Sequence, residues 1–287
     1  MKVKEIIEKS GIEVSGEKIG ITRDKKDDVL RCSKTGIIYL DANVESKKLE
    51  KNYEEKKGLG NHPTLKSKEI RKIKSKTRKD DLRRVEAVKS VSAGKAVLDV
   101  GTGFGGFLDL IEEYADKTAG VELQAEARNH VARRHDSYRR VEDVVNNYDV
   151  ITMFHVLEHM WEPIKELKKI RDKINQGGAF FVEVPHANDA LIDFYEIEKF
   201  KKFTFWSEHL ILHTRYSLHQ FLRHAGFDNV EIRGVQRYGL ANHMLWLKKG
   251  KPSGEKKWVF MDDEILNKEY ERVLQSIGKT DTLMALC

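Results

Sequence analysis

The stretch VLDVGTGFGG, residues 97–106, reads as the end of an apolar strand running into a glycine-rich turn. It carries two glycine spacings at once. Gly101, Gly103 and Gly106 satisfy Gly-x-Gly-x-x-Gly, the spacing that lets a backbone approach a dinucleotide pyrophosphate. Gly101, Gly103 and Gly105 also stand at alternate positions, led by Asp99. A dinucleotide loop places an apolar residue at that buried strand end, because a carboxylate there costs desolvation unless a cation or donors meet it. Asp99 therefore favours a ligand that brings an amino group.

Outward from this loop the chain alternates between two textures. KAVLDV (95–100), KTAGVEL (117–123), YDVITMF (148–154) and AFFVEVP (179–185) read as short apolar strands. Between them lie the helical runs LDLIEEYAD, QAEARNHVARRH and PIKELKKIRDKI, the last opened by Pro163 and read as ended by Gln176-Gly177-Gly178. Strand–helix alternation predicts a parallel sheet covered on both faces, with ligands bound beyond the carboxyl ends of its strands. Glu122 closes the strand after the glycine loop and is placed to accept ribose hydroxyls. A nicotinamide dinucleotide site uses such an acid too, so Glu122 alone does not choose between ligands.

The flanks are less regular. Residues 29–40 read as a hairpin turning at Gly36, and 45–90 as a very polar helical region. Residues 186–213, rich in aromatics and His, read as a lid, followed by the helix TRYSLHQFLRHAGF. NVEIRGV (229–235) and HMLWLKK (243–249) look strand-like. A last helix near 261–277 puts Leu266, Tyr270, Val273, Leu274 and Ile277 on one face and is expected to pack on the body.

Bulk properties exclude several classes. The chain has 287 residues, 40% hydrophobic and 34% charged, with a formal net charge of +6. No apolar run approaches the roughly 20 residues of a membrane span. MKVKEIIEKSG has no signal-peptide core, so a cytoplasmic protein is expected. Cys32 and Cys287 are the two cysteines, which implies no disulfide framework. Thr35 stands where a zinc knuckle would need a second Cys, and no other cysteine pair completes four ligands, so no structural zinc is expected. The run from Lys66 to Arg84 holds ten Lys or Arg against three acids. It reads as a solvated helix face, or as a docking surface for phosphates. It lacks the interleaved aromatics of a single-stranded RNA platform.

Asp-x-Gly-x-Gly-x-Gly, the strand–helix–strand order and Glu122 together resemble the S-adenosylmethionine site of class I methyltransferases. ITMFHVLEHMWEP and KIRDKINQGGAFFVEVP are similar to later segments of that superfamily, and the resemblance runs over about 95–250. It implies an α/β, Rossmann-like class I methyltransferase fold: a mostly parallel seven-stranded sheet with helices on both faces, plus an N-terminal α+β appendage. The expected division is 1–90 for the appendage and 91–287 for the cofactor-binding domain, with a lid near 186–213. It also implies that Gly101, Gly103 and Gly105 admit the backbone to the methionine part of S-adenosylmethionine. Asp99 would meet its ammonium and Glu122 its ribose, with His155 beside the cofactor. His155 and His159, with Glu158 between them, could be read as metal ligands, but no third ligand is evident in the sequence and no metal is expected.

FTFWSEHLILHTRYSLHQFLRHAGF (203–227) resembles a segment of bacterial methyltransferases acting on nucleotide-linked sugars and surface polysaccharides. Carried over, a Glu-His pair that removes the acceptor's proton falls on Glu208 and His209. Trp206 stands where the C-methylating members have a Tyr, which leaves O-methylation open beside C-methylation. RCSKTGIIYL resembles the zinc ribbon of this branch without its ligands. The implied partner is a nucleotide-sugar or glycan precursor. A homo-oligomer is left open, and His209 and His213 could instead simply close a lid over the core. The competing readings are an RNA methyltransferase, favoured by the basic run, and a cofactor-binding relative that does no chemistry.

Overall fold

The computed structural model describes residues 1–44 and 67–287. The helical reading of 45–90 is met from residue 67 onward, by the helix Ser67–Ser92. Its earlier part, with Lys66, lies outside the described residues.

Two sheets organise the chain. The larger has seven strands: β4 (Ala96–Val100), β5 (Lys117–Val121), β6 (Asp136–Tyr138), β7 (Tyr148–Phe154), β8 (Ile174–Pro185), β10 (Glu231–Val235) and β11 (Thr282–Leu286). Its spatial order is β10-β11-β8-β7-β4-β5-β6. Strands β4 to β8 run parallel, and β11 inserts antiparallel between β8 and β10. This is the expected Rossmann-like class I methyltransferase fold. The chain builds outward from β4 through β5 to β6, then restarts on the other side of β4 with β7. That reversal opens a crevice at the carboxyl ends of β4 and β7, where such sheets take their ligands.

Composition explains the strand positions. Six of the seven residues of β7 are buried, as befits a central strand covered on both faces. Leu98, Ile151, Phe180 and Val182 pack in the same cluster, and burying each is worth about 1.5–3 kcal/mol. On the helix Ser67–Ser92, Asp81, Arg84, Val85 and Val88 are buried at spacings of three and four, so one stripe of a polar helix faces inward.

The smaller sheet is the N-terminal appendage: β1 (Gly16–Ile21), β2 (Asp28–Cys32) and β3 (Ile38–Asp41), antiparallel throughout. Gly36, at φ +71°, makes the expected turn between β2 and β3. Its fourth strand, β9 (Ile211–Leu212), comes from the 186–213 segment and pairs with β3. Apolar residues of this sheet, such as Val29, Ile38 and Leu40, belong to the same core cluster as Leu98 and Phe180.

Three local expectations are corrected. The helix opened by Pro163 ends at Arg171, and Gln176-Gly177-Gly178 lies inside β8. Gly177 takes φ +75°, and a Cβ on Gly178 would come within 2.7 Å of the Asp149 carbonyl, so the glycines fit the irregular start of β8 against β7. HMLWLKK is not a strand. It belongs to the helix Leu240–Lys249, whose inward residues Ala241 and Leu245 are four apart and which Gly250 ends at φ +62°. In the helix Glu264–Ser276 the fully buried residue is Leu274, while Val273 stays exposed. Among the described residues, no helix is long and apolar enough to cross a membrane.

Buried histidines give the fold a pH signature, His186 and His243 among them. His186 is bonded through Nδ1 to the Thr280 carbonyl, and His243 through Nδ1 to the Tyr270 hydroxyl. Burial lowers both to about 4, against about 6.5 in an unfolded chain. Between those values the unfolded state binds more protons, so stability is present above about pH 6.5 and is lost as pH falls toward about 4. Urea unfolding across this window should show the loss, at most about 1.4 kcal/mol per pH unit for each histidine. His243→Gln should flatten the slope.

Candidate functional site

Residues following Val100 form the turn at the switch point. Gly101, Gly103 and Gly105 take φ of +77°, +56° and +74°, a region that L side chains rarely adopt. The left-handed conformation thus falls on the alternate glycines. Gly106 plays a different part: a Cβ there would lie 2.5 Å from Asp81 Oδ2 on the long helix. A Cβ on Gly103 would meet nothing within 4 Å, so this glycine borders open space.

Glu122 leaves the end of β5 and holds this turn. Its Oε2 accepts from the Gly103 N–H and its Oε1 from the Gln124 N–H, both at 2.8 Å. Burial nevertheless pushes its carboxyl up. Asp99 sits under the turn on β4, accepting from Thr152 Oγ1 of β7 at 2.7 Å. Fully enclosed, it is pushed up by burial to about 7. A cleft of about 390 Å³ opens in front, lined among others by Gly101, Glu122, Val141, His155, Val156 and His159. Asp99 is not part of that wall.

His155 follows β7 in a left-handed conformation, φ +56°, which is strained for a residue with a side chain. Its surroundings hold it there. The backbone N–H donates to the Glu183 carbonyl at 2.8 Å, and Nδ1 and Nε2 lie 3.2 and 3.1 Å from carboxylate oxygens of Glu158 and Glu183. Burial and Arg237 press the ring toward its neutral form, but the two carboxylates prevail and raise its pKa.

Glu183 on β8 is the centre of this cluster. Arg84 donates to its Oε1 from Nε and Nη2, at 3.2 and 2.8 Å, and Arg83 Nη2 lies 2.8 Å from Oε2. Despite burial, these cations and His155 hold its carboxyl well below the usual range. Arg237 grips Asp80 with two bonds, at 3.0 and 2.6 Å, and reaches His155 Nε2 at 3.1 Å. The basic run is therefore divided. Near its end Asp80, Asp81, Arg83 and Arg84 are turned inward, Lys74 pairs with Asp109, and Lys72, Lys76 and Arg78 face outward.

The other end of the cleft is built by Glu158, His159 and His209. His159 Nδ1 donates to the Glu208 carbonyl at 2.8 Å, and its ring packs 4.9 Å from that of His209. Glu158 is fully buried, yet His155, His159 and His209 hold its carboxyl down to about 2. Burial and His159 press His209 down to about 4. Glu208 joins the histidines through its backbone, while its carboxylate adds a little to the raising of Lys26 that Asp24 chiefly causes. Trp206 is half-exposed with Arg23 over its ring at 4.0 Å. His213 packs edge-on against Phe221 inside the core.

Thus the structure gathers Gly101, Glu122 and His155 around one cleft, ties Gly103 to it through the Glu122 carboxylate, and leaves Asp99 and Gly105 out of its wall. Sequence reasoning missed Glu158, Glu183, Arg84 and Arg237 as members. The one available signal was an acid inside each of two otherwise apolar segments, FHVLEHM and AFFVEVP.

The "Methyltransferase domain" family model matches residues 72–232, more than half of the chain. A ubiquinone biosynthesis O-methyltransferase of Pseudomonas paraeruginosa is 28% identical over 109 residues, 33% of this chain and 47% of the relative. A probable S-adenosylmethionine-dependent methyltransferase of Mycolicibacterium smegmatis is 30% identical over 104 residues, 33% of this chain and 39% of the relative. The chain thus spans less than half the length of these relatives. An S-adenosylmethionine-dependent methyltransferase structure from Thermotoga maritima, 16% identical, covers 76% of this chain and 93% of its own, with a TM-score of 0.51. That likeness is one of fold.

The Glu183 cluster is directly testable. Arg84→Met leaves a buried carboxylate short of a partner, a change that costs about 3–5 kcal/mol when no other cation is near. With Arg83 and His155 still present, a loss of about 3 kcal/mol is expected in urea unfolding. A loss under about 1 kcal/mol would show that those two suffice.

Proposed function

The chain belongs to the methyltransferase-domain family, and from that premise we propose that this S-adenosylmethionine-dependent enzyme methylates a sugar, nucleotide-linked or part of a surface-polysaccharide precursor. S-adenosylmethionine supplies a methyl group already activated on a sulfonium. The residues at the switch point fit it. Gly103, left-handed and bordering open space, lets the backbone come close to the methionine part. Glu122 offers a buried carboxylate to the ribose hydroxyls. Asp99, pushed up toward its neutral form by burial, gains from an ammonium brought near. His155 borders the cofactor side of the cleft.

What remains for the protein is to align the acceptor and remove its proton. One observation carries the acceptor side of the proposal: His209, from the segment resembling sugar methyltransferases, packs on His159, which lines the cleft. In this reading a hydroxyl of the sugar gives its proton to His209 as the oxygen takes the methyl group. Glu208 acts as a positioning residue, through the carbonyl that orients His159. The proposal keeps a cytoplasmic setting.

Calorimetry should show binding of S-adenosylhomocysteine and none of NAD. Glu122→Ala should weaken that binding by about 1.5–3 kcal/mol, roughly 10- to 100-fold, in a protein that remains folded. Unchanged affinity would remove Glu122 from the site. His209→Ala should keep cofactor affinity and lower methyl transfer into nucleotide sugars about 10²–10⁴-fold. Turnover near the wild-type rate would return His209 to lid packing. Labelled methyl transfer into a panel of nucleotide sugars tests the substrate class, and labelling of none of them would sink it.

A further inference from the structure

Glu158, His159 and His209 place one ligand atom each within 4.8 Å of one another. Two of them are neighbours in sequence, and the third arrives from 50 residues away. We propose that this triad binds one divalent first-row transition cation at the acceptor end of the cleft.

Three independent features of the triad point to a ligand. Glu158 is completely shielded from solvent, and one of its oxygens, Oε1, accepts from His155. Among the described residues no hydrogen bond reaches the other, Oε2. A buried carboxylate oxygen without a partner is costly, and a cation bound there removes that cost. His159, next, is set up as a ligand should be. It donates from Nδ1 to the Glu208 carbonyl, which turns Nε2 toward the triad, 3.9 Å from Glu158 Oε1. Metal-bound histidines nearly always give their other N–H to a carbonyl or carboxylate in this way, which fixes both tautomer and ring orientation. Finally, the donor set is chemically coherent. Two imidazoles and one carboxylate suit Zn²⁺, Mn²⁺, Fe²⁺ or Co²⁺ better than Mg²⁺ or Ca²⁺, which prefer all-oxygen shells.

Three protein ligands leave coordination positions open, the pattern of catalytic rather than structural sites. His159 lines the cleft, so those positions face the space where an acceptor would lie. Ligand atoms sit about 2.0–2.2 Å from such ions, so the triad must draw in slightly around one. A hydroxyl held on the cation is oriented and made more acidic. The inference rests on reading this cluster as the acceptor end of the methyltransferase cleft. With the cation present, the His209 lone pair is committed to it, so the proton of a cation-held hydroxyl leaves to water in the cleft, and the base role given to His209 above applies to the metal-free chain.

The full chain, treated with chelator and dialysed, should be titrated with Zn²⁺, Mn²⁺ and Co²⁺ by calorimetry, and with Co²⁺ by visible absorption. One ion per chain is expected for at least one of them, with a cobalt spectrum showing histidine ligation. His209→Ala and His159→Gln should each weaken binding by at least about 10-fold, the smaller effect already seen when partners outside the ligand shell are changed. Glu158→Gln should do the same, but it also disturbs His155, so the two histidine variants decide. Absence of saturable binding by all three cations overturns the proposal. So does binding that neither histidine variant weakens, since the ion would then sit elsewhere. Binding of S-adenosylhomocysteine by the metal-free protein separates the two readings: it must survive chelation if the cofactor site is as described. Full-rate methyl transfer under chelation would overturn the cation while leaving the methyltransferase standing.

Discussion

A carboxylate enclosed in the interior must be met by cations or it will not stay ionised, and Glu183 is where this chain meets that constraint. Its position on β8 faces the end of β7, so whatever neutralises it must come from outside the sheet. Arg83 and Arg84 do so from the long helix, and His155 does so from the turn after β7. One buried charge therefore ties three elements together at the rim of the cleft. It also explains the strained backbone of His155. A left-handed histidine is expensive in isolation, but it lets the ring span Glu158 and Glu183 at once. Arg237 extends the same network to Asp80 and so to the strand-to-helix turn after β10.

Much of the fold was legible because its central strands are covered on both faces. YDVITMF and AFFVEVP are nearly continuous apolar runs, and the glycine turn after VLDV marks the switch point. What escaped did so for physical reasons. Gly177 and Gly178 look like a helix stop, yet a left-handed glycine and a close backbone contact occur equally in an irregular strand. HMLWLKK crowds its large apolar residues together, so neither period stands out, and the left-handed Gly250 decides for a helix. DTLMALC, the strand β11, is a short apolar run set off only by Gly278, which reads equally as the end of the preceding helix. It became a strand because β8 and β10 left a gap of one ladder between them. The acids of the site were hidden for another reason. In an apolar segment a lone Glu reads as the exposed position, whereas Glu158 and Glu183 are fully buried.

The histidines show how one residue type is set to different tasks by its surroundings. His155 lies between two carboxylates and is held toward the protonated form. His209, close to His159 and within reach of the Arg23 charge, is held neutral. His213 is neutral because it is buried against Phe221 and the core. The separation is the kind that distinguishes acid and base roles within one site. Here it divides a cationic wall, made by His155 with Arg84 and Arg237, from an end where His209 is held neutral.

That second end depends on a part of the chain remote from the glycine turn. His209 is followed directly by Leu210 and then by β9, whose two residues pair with β3 of the N-terminal sheet. Leu210 N–H in turn donates to the Glu158 carbonyl at 2.8 Å, while Leu40 N–H donates to the Leu210 carbonyl at 3.1 Å. Leu210 is thus clamped from both sides, by the N-terminal hairpin and by the residue whose carboxylate His209 approaches. The N-terminal hairpin thus has a mechanical role. It fixes the backbone that presents His209, and a shift of β3 would move the His159–His209 end of the cleft without touching the glycine turn.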